Sequence, residues 1–152
     1  VKYSLTKHYK FKLEENEVIQ TDIEGRPFAT RWMRLGMEGK LTVLKGYCHD
    51  GSSIPFKRTL RVLSLWIYDA DRYCKEASLG HDALCQAIRE GNLPKHLKEY
   101  VDSLYRSMCI VGGLPKRRAN ARYKALRKAG DLGITPEKNP RNRIYDTKKL
   151  DK

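Results

Sequence analysis

No apolar run in this chain approaches the roughly 20 residues that span a bilayer, so no transmembrane segment is expected. The first residues, Val-Lys-Tyr-Ser-Leu-Thr-Lys, hold no apolar h-region, and no signal peptide is expected either. The four cysteines, Cys48, Cys74, Cys85 and Cys109, include no Cys-x-x-Cys pair, which argues against a zinc ribbon. On one helix Cys74 and Cys85 would lie about 16 Å apart, too far to bridge. Reduced thiols in a cytoplasmic setting are the expectation, with a Cys85–Cys109 link between neighbouring helices left open. A Gly-x-Ser-x-Gly elbow is missing, so Ser52 and Ser53 read as turn formers rather than nucleophiles. Acidic residues run short only late in the chain. After residue 115, 13 Lys+Arg face 4 Asp+Glu, whereas 18 face 14 before it. The net charge of +13 is thus mainly C-terminal. Residues 116–152 suit an acidic protein surface, nucleic acid or anionic lipid as partner, or else form a solvated basic tail.

What is present is enough for one domain with a modest core: 152 residues, 40% of them hydrophobic. The spacing predicts an α+β chain, with a single domain over 1–130 and a basic extended arm over 131–152. Strand patterns run through Tyr3–Leu13 and Val18–Ile23, and Trp32–Leu35 with Leu41–Leu44 reads as a hairpin around Gly36–Gly39. A loop rich in Gly, Ser, Asp and Pro covers 46–55. Arg58–Tyr68 is compatible with helix or strand, and Asp69 or Asp71 can cap the helix after it. Three helices are predicted, over Tyr73–Glu90, Lys95–Val111 and Lys116–Ala129, each followed by glycine. The second should bury Leu97, Val101, Leu104, Met108 and Val111. The third should turn Ala119, Tyr123 and Leu126 inward and its lysines and arginines mostly outward.

The chemistry concentrates at His81-Asp82. Helical spacing puts His81 on one face with Cys74, Ala77, Leu84, Cys85 and Ile88. A polar ring on an apolar face needs a partner, and a single satisfying hydrogen bond is the plainest explanation. Asp102, at the edge of the second helix's stripe, could supply it if the two helices pair antiparallel. A carboxylate on one imidazole nitrogen raises basicity at the other, which makes a general base toward water. Asp50, Asp82 and the backbone at Gly51 offer the oxygen ligands a hard cation such as calcium uses, and a cation there could stabilise an oxyanion. The combination spells a hydrolase. Alternatively, Asp102 lies on the surface, paired with Lys98 or Arg106. A histidine-aspartate phosphohydrolase set of His49, His81, Asp82 and Asp102 is a third possibility, although His49 in a loop more commonly faces solvent. His8 and His96 have no visible partners, and Trp32 and Trp66 read as core or interface anchors.

Two resemblances bear on these residues. Gly46-Tyr-Cys-His-Asp-Gly-Ser-Ser-Ile-Pro55, His81-Asp-Ala-Leu-Cys-Gln86, Tyr100-Val-Asp102 and the segment from Arg118 through Tyr123 to Gly130 together resemble the tailed-phage domain-of-unknown-function family 1353. Cys48-His49 stands where that family often has Ala-Trp, and Cys85 where it often has Tyr. This resemblance implies a phage or prophage protein and supplies no activity. The arrangement of His81, Asp82, Asp102 and Asp50 is also similar to that of secreted bacterial phospholipases of the A-two type. That similarity implies that His81 activates water, Asp102 orients the His81 ring, and Asp82 with the Asp50 loop binds calcium.

The expected function is therefore that of a virion-associated phage protein, such as a tail component, with a His-Asp hydrolase-like site acting on an envelope ester. The alternatives are a non-enzymatic virion structural or assembly protein docked through its basic arm, and a nucleic-acid-binding protein. Other virion proteins are the expected partners. The expected location is the virion or the host cytoplasm during assembly.

Overall fold

The computed structural model describes residues 2–4, 11–49 and 64–135. The expected metal-loop residues Asp50 and Gly51, the stretch from Ser52 to Leu63, His8, and residues 136–152 of the expected arm lie outside the described residues. Within them the chain is α+β. Seven short strands precede three helices: β1 Tyr3–Ser4, β2 Phe11–Leu13, β3 Glu17–Gln20, β4 Phe28–Ala29, β5 Met33–Leu35, β6 Lys40–Val43, β7 Cys48–His49, then α1 Ser64–Arg89, α2 Lys98–Val111 and α3 Lys116–Ala129.

The strands form two antiparallel sheets, ordered β1-β2-β7 and β3-β6-β5-β4. The expected hairpin is present as β5–β6, with Leu35 opposite Leu41 and Met33 opposite Val43. Period-two alternation buries one face of β2, β3, β5 and β6. Leu13, Ile19, Met33, Leu35, Leu41 and Val43 all point into a core that they share with Leu79, Ala83, Leu84 and Ile88 of α1.

α1 begins well before Tyr73, the expected start. Helical geometry breaks at Cys74 (φ −115°, ψ 15°), so two helices meet at a kink there. Asp69 and Asp71 consequently lie inside helical backbone instead of capping an N-terminus. Beyond the kink, α1 is buried on more than one side because it packs against the sheets and against α2. A Cβ at Gly80 would sit 2.9 Å from Ile19 Cδ1, so the bare backbone there lets α1 press closely on β3. From α2, Tyr100 ties back to the bend that follows β3: its hydroxyl accepts the Asp22 N–H at 2.7 Å.

α2 is rotated from the expected stripe. Its buried side chains are Lys98, Val101, Asp102, Tyr105 and Cys109, whereas Val111 is 89% exposed. Leu97, Leu104 and Met108 are only partly buried. Ranking positions by apolarity alone misplaced the stripe, since two of its members are charged. α3 follows expectation more closely, with Ala119 buried, Leu126 packed against the inter-helix cluster, and Lys116, Arg117, Lys124, Arg127 and Lys128 exposed or half-buried. The chain past Gly130 does not extend at once. It makes a short 3-10 turn over Gly130–Gly133, and Ile134 is buried in the main core. All four cysteines are free, so the Cys85–Cys109 link does not form. None of the described helices is long and apolar enough to cross a membrane.

Candidate active site

His81 follows Gly80 on α1, at the point where that helix presses on β3. Asp102 comes from the buried stripe of α2. Packing of α1 on α2 brings them together, and His81 Nε2 lies 2.8 Å from Asp102 Oδ1. A carboxylate can only accept, so the bond fixes the proton on Nε2 and leaves Nδ1 as the nitrogen available to a reactant. The expected contact is therefore present, and the surface alternative for Asp102 is not: its side chain is wholly buried.

Asp102 has further partners. Lys98, one turn earlier on α2 and itself buried, donates Nζ–H to Oδ1 at 2.5 Å. Arg127, reaching in from α3, donates from Nη1 to Oδ2 at 3.3 Å. The carboxylate thus joins side chains from all three helices. Burial alone would raise the Asp102 pKa, but the bonds from His81 and Lys98 outweigh it and hold the carboxyl below its usual range. Burial likewise would lower His81. The Cys85 sulfur and the Asp102 and Asp82 carboxylates outweigh that effect and lift the imidazole well above its usual 6.5. The shift favours the imidazolium, so the base form of His81 appears at higher pH than that of an ordinary histidine.

The other edge of the ring faces a different set. Asp82 Oδ1 lies 3.9 Å from Nδ1, and the Asp82 side chain is 24% exposed. The His81 side chain keeps 12% exposure, so solvent reaches it. Cys85 Sγ is 3.8 Å from both ring nitrogens. Equal distance from the two places the sulfur off either lone-pair axis, so Cys85 packs against the ring and is not aligned as a nucleophile. Tyr105 meets His81 edge-on, with ring centroids 5.4 Å apart, and its hydroxyl accepts from Arg122 at 2.8 Å.

His49 is not a solvent-facing loop residue. It lies on β7 opposite Phe11 of β2, and strand alternation turns it into the core, fully buried against Phe11 and Tyr47. Its Nδ1 is 3.8 Å from Asp82 Oδ2, so Asp82 lies between two imidazoles. The phosphohydrolase candidates His49, Asp82, His81 and Asp102 thereby form a chain of neighbours. Among the described residues, however, no group of three His, Cys, Asp or Glu side chains is placed to hold a metal ion. Asp82 is the one expected calcium ligand that is described, and its imidazole neighbours are not the oxygen donors calcium takes.

Sequence reasoning missed Lys98 and Arg127 as members of this cluster. Lys98 does carry a signal, its position one turn before Asp102, but i,i+4 spacing alone suits a surface pair equally well. Arg106, the other candidate partner, instead lies over the Tyr123 ring, 5.8 Å from its centroid. Arg127 had no local signal, because it reaches Asp102 only through the packing of α3 on α2. In comparisons with known proteins the chain matches no family model, no curated protein and no solved structure.

Proposed function

We propose that this chain is a virion-associated phage protein whose His81–Asp102 pair activates water to hydrolyse an ester of a cell-envelope component. The observation that carries this reading is the 2.8 Å bond from His81 Nε2 to Asp102, with Nδ1 turned to the side where Asp82 is partly exposed. In the deprotonated state, Nδ1 accepts a proton from water as the oxygen attacks the ester carbonyl. Asp102 balances the imidazolium that forms, and the same proton passes to the leaving alkoxide as the tetrahedral intermediate collapses. A calcium ion belongs to the proposal only through Asp82 together with the Asp50–Gly51 loop. The test is fatty-acid release from bacterial phospholipid vesicles by the wild-type chain and by His81→Asn, with and without a chelator. The reading expects a loss of about a hundredfold or more in the variant. Equal release by both would end it.

A second reading is a non-enzymatic virion component, with the cluster acting as a lock between helices. It is favoured by the three cationic partners of Asp102, which come from α1, α2 and α3. Ile134 is core, so the appropriate truncation removes residues 136–152. Loss of that segment should abolish incorporation into particles, and unaltered incorporation would refute docking through the arm.

A further inference from the structure

α3 has a composition that its packing does not require. Its 14 residues, Lys-Arg-Arg-Ala-Asn-Ala-Arg-Tyr-Lys-Ala-Leu-Arg-Lys-Ala, hold seven Lys or Arg and no Asp or Glu. Some of these cations are used internally: Arg127 on Asp102 and Glu99, and Arg122 on Tyr105. Arg117, Lys124 and Lys128 are not placed that way. With Ala121 they occupy positions i, i+4, i+7 and i+11, one stripe down the helix, and all four residues are exposed. The stripe is about 16 Å long, and exposed Lys116 lies beside its start.

We propose that this stripe is a docking surface for the phosphate backbone of duplex nucleic acid. Charge complementarity carries the assignment, because a row of cations without interspersed acids matches a regular line of phosphates. What the face omits selects among polyanions. Apart from Ala121, which is too small to anchor a partner, the stripe carries no apolar residue of α3: Ala119 is buried, and Leu126 packs against the cluster between the helices. A protein interface is anchored by exposed aromatic or aliphatic side chains at its centre, and a membrane-surface helix by an apolar face that enters the acyl boundary. The stripe offers neither. Val111, exposed at the end of α2, is one aliphatic side chain beyond the start of α3. Recognition here is electrostatic and without sequence readout. The surface is independent of the hydrolase reading, since none of its residues contacts His81 or Asp102.

The test uses the full chain and a fluorescent mixed-sequence DNA duplex of about two helical turns, followed by anisotropy between about 50 and 200 mM salt. The wild type should bind with an affinity that falls steeply with salt. The triple variant Arg117→Glu/Lys124→Glu/Lys128→Glu should bind at least about tenfold more weakly, and its log–log salt slope should be smaller by roughly one unit per lost contact. Lys40→Glu/Lys45→Glu/Lys95→Glu makes the same change in net charge at exposed sites off the stripe, and should stay within about twofold of the wild type. Should the glutamate triple fail to fold, the corresponding glutamine triple replaces it with the same expected direction. Equal weakening by both triples would overturn the proposal, as would undiminished binding by the stripe variant, which would place binding elsewhere on the chain. Binding to anionic phosphatidylglycerol vesicles or to polyglutamate in preference to the duplex at matched salt would also overturn it.

Discussion

Lys98 and Asp102 stand one turn apart on α2, both buried, and the ammonium donates at 2.5 Å to the same carboxylate oxygen that accepts from His81. Removing one member of a buried ion pair leaves the other charge short of a partner, at a cost of about 3–5 kcal/mol. Arg127 and His81 still serve Asp102 when Lys98 is gone, so Lys98→Met should fall at the low end, about 3 kcal/mol by urea unfolding. A loss below about 1 kcal/mol would mean that Lys98 contributes little to holding that carboxylate.

The pH dependence follows from opposite shifts in the two partners. His81 has a folded pKa above its ordinary 6.5, so its contribution to stability is fully present below that value and fades as pH rises through the folded pKa. Asp102 has a folded pKa below its ordinary 3.8, so its contribution is present above that value and is lost as pH falls through the folded pKa. The stability difference between the wild type and His81→Gln should therefore be greatest in mildly acidic solution and shrink toward alkaline pH. A difference that grows on the alkaline side would contradict the raised His81 pKa. Hydrolysis that requires the base form should rise over the same alkaline range.

Much of this arrangement was legible from pattern. The β5–β6 hairpin, the bounds of α3 and the His81–Asp102 contact follow from alternation, glycine stops and short helix connections. The buried stripe of α2 is not legible in that way. Lys98 and Asp102 occupy the buried stripe of α2 because they satisfy each other and His81, and no ranking of residues by apolarity finds charges whose burial depends on partners. Val111 looked like the end of that stripe, but the helix turns it away. His49 stands beside a Gly- and Ser-rich run that suggests a loop, whereas pairing of β7 with β2 decides where it points. The kink at Cys74 left no mark in local propensity. Asp50 and Gly51, on which the calcium expectation depends, lie outside the described residues.

Gly112 tests how closely the end of α2 approaches the kink in α1. A Cβ there would lie 2.2 Å from the Tyr73 carbonyl oxygen, a backbone atom that cannot swing aside. Gly112→Ala should cost about 3 kcal/mol through overpacking. Gly91 has a left-handed φ of +79° but open space around it, and Gly91→Ala should cost only about 1 kcal/mol. Thermal or urea unfolding that reversed this order would argue against the close approach.

Thiol reactivity reads the same packing chemically. Cys48 is partly exposed, whereas Cys74, Cys85 and Cys109 are buried. The hydrogen bond with Cys74, reinforced by burial, pushes the Cys109 thiol up and away from the reactive thiolate. A disulfide reagent should titrate one thiol quickly in the native protein and the other three only on unfolding. Rapid modification of two or more would contradict the described core.

The proposed chemistry depends on Asp102 holding the proton on Nε2 and leaving Nδ1 to react. Nitrogen-15 NMR of the His81 ring across a pH titration tests this directly. Nε2 should stay protonated throughout, Nδ1 should titrate well above the ordinary histidine value, and Asp102→Asn should lower that pKa. A neutral ring carrying its proton on Nδ1, or a His81 pKa unchanged by Asp102→Asn, would contradict it.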